Sequence, residues 1–187
     1  MPRAGLDTDV VVTAAADLAD EIGLANLTLG QLAERLGVKS PSLYKHVDGL
    51  ADLHRRIAIL ALTQLGDALR DSLQGRAGKD ALAAAAHTLR DFVTAHPGRY
   101  ATTLRLDPSN TDDPLAVAGV RVMDSLAAVL TTYDVDPSHQ VHALRLLRSL
   151  LHGFAVLEAA GGFQMDTDID DSFAWLVDFL DRGLRNR

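Results

Sequence analysis

The stretch TLGQLAERLGVKSPSLYKHV, residues 28–47, decides how this chain folds. Thr28 begins a T-x-x-Q pattern, which is the spacing of a capping box at the start of a helix. Gly37 stands where that helix needs a residue tolerant of positive φ to end it. Ser40 and Pro41 then suit the start of a second helix, with serine as its N-cap and proline in its first turn. Two short helices joined by such a turn predict a helix-turn-helix.

The two helices of this motif differ in what they present to solvent. Ala33 is small enough for the helices to cross closely, and leucine and valine side chains fill the angle between them. The second helix leaves hydrogen-bonding and cationic side chains facing outward, namely Lys39, Ser40, Ser42, Lys45 and His46, with Tyr44 beside them. Such groups can reach base edges and phosphates in the major groove of DNA. The alternative is a helical hairpin used only for packing, with these side chains as a solvated surface.

The pattern L-T-x-x-x-L-A-x-x-L-G-V-x-x-P-x-L-Y-x-H-V, with a helix of matching length upstream, resembles the DNA-binding segment of the TetR family over about residues 7–55. The resemblance implies phosphate contacts by Thr28, Tyr44 and His46. It also implies contacts with bases, or with the phosphates beside them, by Lys39, Ser40, Pro41, Ser42 and Lys45. We therefore expect sequence-specific binding to double-stranded DNA.

The charge of the chain argues against a simple electrostatic attraction to DNA. The net charge is −7, and residues 1–55 hold five Lys/Arg against eight Asp/Glu, a local balance of −3. Many members of the family carry a lysine three residues after the position of Val47, where this chain has Leu50. We expect fewer phosphate contacts than usual and a shallower dependence of affinity on salt.

Apolar residues at helical spacing predict helices along the rest of the chain as well. One helix precedes the motif, with Thr8 or Asp9 as its cap and Gly23 at its end. The others cover approximately residues 50–73, 80–95, 99–105, 115–132, 138–160 and 171–185. The predicted fold is all-α with about nine helices, divided into a DNA-binding head in residues 1–50 and a ligand-binding and dimerisation body in residues 51–187.

The C-terminal body resembles a TetR subgroup named for a Trp-His-Gly tripeptide, although the tripeptide here is Leu151-His152-Gly153. The resemblance implies that the last two long helices pair with their copies in a second chain as a four-helix bundle. The residues predicted for this dimer interface are Leu147, Leu150, Leu151, Phe154, Leu157, Phe173, Leu176, Val177 and Leu180. A palindromic DNA site also requires two heads. The alternative is that these side chains serve only the core of one protomer.

A ligand cavity between the middle helices is a further expectation. Its candidate lining residues are Phe92, His96, Tyr100, Leu104, Met123, Leu126, Arg145, Leu146 and His152. For each of them the alternative is an ordinary core position. His139 and His142 stand one turn apart on a helix, but no third ligand is evident, so we predict no metal site and no cofactor.

Several classes of protein are excluded by what the sequence lacks. It has no cysteine, and therefore neither a disulfide framework nor a thiolate metal site. It has no secretory signal and no apolar run of about 18 residues, so we expect a cytoplasmic protein with no membrane partner. It has no G-x-S-x-G, phosphate-binding glycine loop or H-E-x-x-H motif, so we do not expect an enzyme.

These inferences together predict a homodimeric repressor that a small apolar or amphipathic effector, of unknown identity, releases from a palindromic operator. In this mechanism the effector favours a state in which the long helix near residues 50–73 swings and spoils the spacing of the two heads. Two alternatives remain open. One is a helical small-molecule-binding protein with lost or weak DNA affinity, and the other is a small all-helical enzyme with an unrecognised site.

Overall fold

The structure, a computed structural model, describes residues 6–104 and 112–185. Within these ranges the chain is all-α and contains no strand, as the sequence predicts. The α-helices are α1 (Thr8–Ile22), α2 (Leu29–Leu36), α3 (Leu50–Ser72), α4 (Gly78–Ala95), α5 (Pro97–Ala101), α6 (Pro114–Leu130), α7 (Gln140–Ala159) and α8 (Ile169–Arg185). The helix predicted at residues 40–47 is a 3₁₀ helix over Ser40–Lys45, which we call the reading helix. Residues 107–114 are predicted from their sequence to form a polar loop, and residues 107–111 of this stretch lie outside the described residues.

The start of α1 differs from the prediction by one residue. Asp7, and not Thr8 or Asp9, is the N-cap, because Asp7 is still extended and its carboxylate accepts the N–H of Val10 at 2.8 Å. Gly23 follows α1 with a φ of +83°, as a stop residue should. Asp7 is adjacent to the two predicted candidates and, like them, has a side chain that can cap a helix, so the sequence pattern does not distinguish which residue leaves the helical conformation.

The chain forms two compact units. The head unit contains residues 6–62, 96–104 and 112–117, and the body unit contains residues 63–95 and 118–185. The helix α3 belongs to the head unit up to residue 62 and to the body unit beyond it. The predicted boundary between residues 50 and 51 separates a DNA-binding region from a ligand-binding and dimerisation region, and it remains a prediction.

The core of the head unit is formed by α1, α2, the reading helix and the first turns of α3. Its side chains with no exposure at all include Val11, Ala15, Leu32, Leu43, Leu53 and Ile57. These residues come from four separate elements, so burial of each apolar face fixes where the short reading helix lies. Burying a leucine or isoleucine stabilises the fold by about 1.5–3 kcal/mol each, before the cost of ordering the chain is counted.

In the body unit, α4 packs mainly against α7 and also against α8. The buried face of α4 consists largely of alanine, which allows the neighbouring backbones to approach closely. Five side chains that we predicted for a dimer interface face this packing: Leu147, Leu151, Phe173, Val177 and Leu180 are at most 4% exposed. They are buried within the protomer. The assignment of the nine residues to a dimer interface remains a prediction.

Two helix starts were predicted too late. Pro97 and Gly98 read as a break in sequence, yet they form the first turn of α5, with His96 as the N-cap residue. Proline suits that turn, because its missing N–H would have no partner there. The helix α8 begins two residues before the expected position, since the Asp168 carboxylate accepts the N–H groups of Asp170 and Asp171.

One described helical stretch, Pro114–Tyr133, is apolar and long enough to cross a membrane by length and composition, with a mean hydropathy of 1.5. The sequence analysis predicts no apolar run of that length; this stretch contains the charged residues Arg121 and Asp124. Leu126 and Val129 on this stretch are buried within the protein. The core helix of a globular protein passes the same test, so this helix carries no membrane assignment.

Candidate nucleic-acid interface

The cap of α2 is the one that the sequence predicts. Thr28 is extended, and its hydroxyl oxygen accepts the N–H of Gln31 at 3.2 Å. The same hydroxyl donates to the side-chain oxygen of Gln31 at 2.7 Å. In a complete capping box the Gln31 side chain would instead accept the backbone N–H of the cap residue. Thr28 is therefore held in place while its side chain stays exposed at the start of the motif.

The turn depends on Gly37. This residue has a φ of +65° and a ψ of +31°, the left-handed conformation, and the next residue, Val38, donates its N–H to the carbonyl of Ala33 at 3.0 Å. This bond closes the end of α2, whose last carbonyl groups have no partner within the helix. Ala33 is 3% exposed, so its small side chain lies in the crossing as expected.

The reading helix begins at Ser40, but its cap differs from the prediction. Lys39 occupies the N-cap position without a side-chain hydrogen bond, and Ser40 is already the first helical residue. The N–H of Ser42 donates to the carbonyl of Lys39 at 2.8 Å, an i to i−3 bond typical of a 3₁₀ helix. Leu43 is completely buried and anchors this short helix to the head core.

The opposite side of the reading helix faces solvent. Tyr44 is 59% exposed, although tyrosine is an amphipathic residue that usually buries its ring. The eight residues predicted to contact DNA divide by exposure: Thr28, Lys39, Pro41, Tyr44 and Lys45 are exposed, and Ser40, Ser42 and His46 are half-buried. The structure thus brings seven of them together at residues 39–46 and places Thr28 at the start of α2. Their roles remain predictions.

The cations of the head unit fall into two groups. Its described arginines all form ion pairs with carboxylates: Arg35 with Glu21, Arg55 with Asp113, Arg56 with Asp52, and Arg99 with Asp17 and Asp20. The Arg35 pair is bidentate, at 2.6 and 2.7 Å, and the hydrogen bond from Arg35 lowers the pKa of the Glu21 carboxyl. Lys39 and Lys45 are the described lysines and arginines of this unit without such a pair, so its unpaired positive side chains lie at the two ends of the reading helix.

Leu50, the residue that replaces the usual lysine of the family, is the first residue of α3 and is 37% exposed. Asp48 lies just before α3 and Asp52 lies in its first turn. The backbone N–H of Asp48 donates to the Asp52 carboxylate at 3.0 Å. This start of α3 therefore carries negative charge and no cation of its own until Arg55. The effect of Leu50 on DNA affinity remains a prediction.

The nine predicted ligand-binding residues are divided between the two units. His96, Tyr100 and Leu104 belong to the head unit, where Tyr100 is buried and Leu104 is exposed. The other six belong to the body unit: Leu126 is fully buried, Phe92, Met123 and His152 are half-buried, and Arg145 and Leu146 are exposed. Two clefts in the body unit, of about 420 and 350 Å³, contain none of the nine. Ligand binding by these residues remains a prediction.

Sequence reasoning missed two polar features of the head unit. The first is the cluster of Asp20 and Arg99, which are 79 residues apart and could be joined only by the tertiary structure. The second is His54, whose buried Nε2 atom has no hydrogen-bond partner. Burial lowers the pKa of His54, because the imidazolium form would lose its hydration. No pattern in the sequence marks either feature.

Two family models match the chain. Residues 11–53, which contain α1, α2 and the reading helix, match the model described as bacterial regulatory proteins, tetR family. Residues 82–180, more than half of the chain, match the model described as the C-terminal domain of tetracyclin repressor-like proteins. One match therefore lies in the N-terminal part of the chain and the other in the C-terminal part.

Three solved structures have similar folds. A protein of unknown function from Rhodococcus sp. RHA1 has a TM-score of 0.81 at 23% identity and covers 100% of both chains. A TetR variant from Acinetobacter baumannii AYE in complex with minocycline has a TM-score of 0.72 at 24% identity, covering 98% of this chain and all of that one. BioQ with its natural double-stranded DNA operator has a TM-score of 0.71 at 21% identity, with the same coverage. At these identities the likeness shows the fold alone.

Two curated relatives extend the likeness to the sequence of the whole chain. The uncharacterized HTH-type transcriptional regulator YobS of Bacillus subtilis is 34% identical over 189 residues, which cover 98% of this chain and 95% of YobS. The uncharacterized HTH-type transcriptional regulator Rv0681 of Mycobacterium tuberculosis is 36% identical over 185 residues, which cover 98% of this chain and 84% of Rv0681. With the two family models, these relatives show that the chain belongs to the TetR family of helix-turn-helix transcriptional regulators.

Proposed function

We propose that this regulator is a cytoplasmic homodimeric repressor whose two reading helices enter successive major grooves of a palindromic operator. The observation that carries the proposal is the exposed set Lys39, Tyr44 and Lys45, since these two lysines are the cations of the described head unit that no carboxylate neutralises. Two heads related by a two-fold axis would read half-sites about 34–36 Å apart. We assign the protein no catalytic role.

The proposed dimer rests on apolar side chains that the protomer leaves exposed. On α7, Leu146, Gly153 and Leu157 share one side of the helix, because they are seven and four residues apart. Leu146 and Leu157 are each more than half exposed, and a side chain added at Gly153 would meet no atom within 4 Å. On α8, the rings of Trp175 and Phe179 are stacked with centroids 5.5 Å apart, and both are at least half exposed. Exposed apolar groups of this size are typical of interfaces.

We further propose that a small molecule controls the affinity for the operator. The support is the match to a tetracyclin repressor-like C-terminal domain and the complex of a similarly folded protein with minocycline. The nine candidate residues remain the positions to test for effector contacts. An effector changes DNA affinity only if it binds the two states of the protein with different affinity.

Selection of random duplex DNA on the purified protein tests the proposed function. We expect a palindromic consensus, and we expect Tyr44→Ala to lose affinity for it while keeping the helical content of the wild type. Tyr133→Phe is the matched control, since that tyrosine is buried in the body unit and donates its hydroxyl to Asp181. Enrichment of no sequence at low salt would refute the proposal, as would a Tyr44→Ala protein that binds as tightly as the wild type.

A second candidate function is binding of a small molecule by a protein whose head has lost DNA affinity. The acidic balance of residues 1–55 and Leu50 in place of a lysine favour it. The two candidates differ at low salt, where phosphate contacts are strongest. A tight complex with a small molecule, together with no DNA binding at about 50 mM salt, would support the second candidate over the first.

A further inference from the structure

The helix α5 approaches the backbone of α1 more closely than any side chain would allow. A Cβ atom added at Gly98 would lie 1.9 Å from the carbonyl oxygen of Ala19 and 2.6 Å from the backbone nitrogen of Asp20. Both neighbours are backbone atoms and cannot rotate away as a flexible side chain could. This position therefore admits only glycine while the two helices keep their contact.

A buried arginine also holds α5 against α1. Arg99 is 5% exposed, and its backbone N–H and its Nε donate to the two carboxylate oxygens of Asp20, each at 2.7 Å. Its Nη2 donates to Asp17 at 2.5 Å, and Nδ1 of His96 lies 3.2 Å from the Asp20 carboxylate. The forked guanidinium makes these bonds directional, which a point charge would not.

Stability alone gives little reason for this arrangement. Buried ion pairs are often no more stabilising than apolar residues of the same volume, because both charges lose their hydration. What the two bonds from Arg99 to Asp20, one from the backbone and one from the guanidinium, provide is a defined geometry. Sliding of α5 along α1 would have to break several hydrogen bonds of Asp20 and also move Gly98 past the Ala19 carbonyl.

We propose that Arg99 and Asp20 are positioning residues for DNA binding, which hold residues 96–104 and α1 together as one rigid body. Because α1 also forms the core on which α2 and the reading helix pack, a displacement of residues 96–104 then displaces the base of the DNA-binding motif. This inference rests on the proposed function and adds a route of control that does not pass through the swing of α3. His96, Tyr100 and Leu104 lie on that route.

A steric wedge tests the proposal without any effector. Gly98→Ala should remain helical and keep its oligomeric state. Its Kd for the operator should rise at least tenfold, when the Kd is calculated from the fraction of protein that titration shows to be active. Gly66→Ala is the matched control, since its new Cβ would meet its nearest neighbour, Cβ of Arg121, at 3.6 Å, an ordinary contact. Its operator Kd should stay within a factor of two of the wild type.

Two arginine variants keep the proposal testable where the wedge prevents folding. Arg99→Gln should raise the operator Kd about tenfold. Arg99→Lys keeps a positive charge near Asp20, so its operator Kd should rise less than that of Arg99→Gln. Hydrogen exchange supplies a readout that does not depend on DNA. In Arg99→Gln, the amides of α1 and α5 should exchange faster together, whereas those of α4 and α8 should keep their wild-type rates.

The outcomes separate this inference from the proposed function. A folded Gly98→Ala or Arg99→Gln protein with the wild-type operator Kd would overturn the positioning role. Faster exchange in α5 with no change in α1 would overturn the single rigid body. A wild-type protein that selects no DNA would refute the proposed function and with it any role in DNA binding, while the exchange measurement would still decide whether the two helices move together.

Discussion

Neutralising Lys45 should flatten the dependence of operator binding on salt. The logarithm of the affinity falls with the logarithm of the salt concentration by about 0.9 for each phosphate that a lysine or arginine neutralises. The described head unit has two lysines without a carboxylate partner, so a dimer offers four such contacts and a slope of about −3.6. Affinity should then fall about 150-fold between roughly 50 and 200 mM salt.

Lys45→Gln removes one contact from each head. The slope should fall to about −1.8, and the loss of affinity over the same range of salt to about 12-fold. Fluorescence anisotropy with the selected operator at four or five salt concentrations measures both slopes directly.

Lys79→Gln is the matched control. This residue is the remaining lysine of the chain, belongs to the body unit and is paired with Asp178 at 2.7 Å. Its removal should leave the slope unchanged. Arg3 lies outside the described residues, and a contribution from it would steepen both slopes equally, so the difference between them is the test. Equal slopes for wild type and Lys45→Gln, or an equal change in Lys79→Gln, would refute the reasoning.

Three further predictions concern stability. Gly37→Ala should lower the free energy of unfolding by about 1–2 kcal/mol, because it forces a side chain into a left-handed conformation. Gly30→Ala, inside α2, should raise the free energy of unfolding by about 0.5–1 kcal/mol. Chemical denaturation measures both changes, and two changes of the same sign would contradict the conformational role of Gly37. Arg90→Met should lower the free energy of unfolding by about 2–3 kcal/mol, because it leaves the partly buried Glu158 carboxylate without this partner. Adding Glu158→Leu should recover most of that loss, whereas the effects of two independent sites would simply add. Burial lowers the pKa of His54, so the stability that its neutral form contributes is complete above the pKa of about 6.5 in the unfolded chain and is lost as the pH falls below that value. The free energy of unfolding of His54→Leu should therefore decrease less than that of the wild type between about pH 7 and 5.5. Parallel curves for the two proteins would show that burial of His54 does not contribute to the pH dependence.

The elements of the motif could be predicted because local chemistry determines them. The hydroxyl of Thr28 caps α2, and Gly37 adopts the left-handed conformation, because both residues act on backbone groups within a few positions. The choice of cap for the reading helix was wrong for the same kind of local reason. Lys39 remains extended and supplies the first carbonyl, so Ser40 is already inside the helix.

The sequence does not determine which side of α7 would face a second chain, because α7 is apolar on more than one side. Leu147 and Leu151 are covered by the protomer itself, whereas Leu146 and Leu157 are exposed. Hydrophobic periodicity indicates that a side of a helix is apolar but not which neighbour covers it. The assignment needs the alanine-rich surface of α4, which only the fold brings against one of these sides.

The distribution of charge in the head unit explains how an acidic protein can still recognise DNA. A sequence count treats every arginine as available, yet each described arginine of this unit is already held by a carboxylate, Arg35 and Arg56 among them. Pairing removes cations that would bind any phosphate and leaves Lys39 and Lys45 beside the residues that are predicted to face the bases. Non-specific affinity, which is almost entirely electrostatic, should then be reduced more than affinity for the operator. Glu21→Gln, which releases Arg35 without touching the reading helix, should therefore tighten binding to random duplex DNA more than binding to the operator, and an equal gain for both would show that the pairing does not act on specificity.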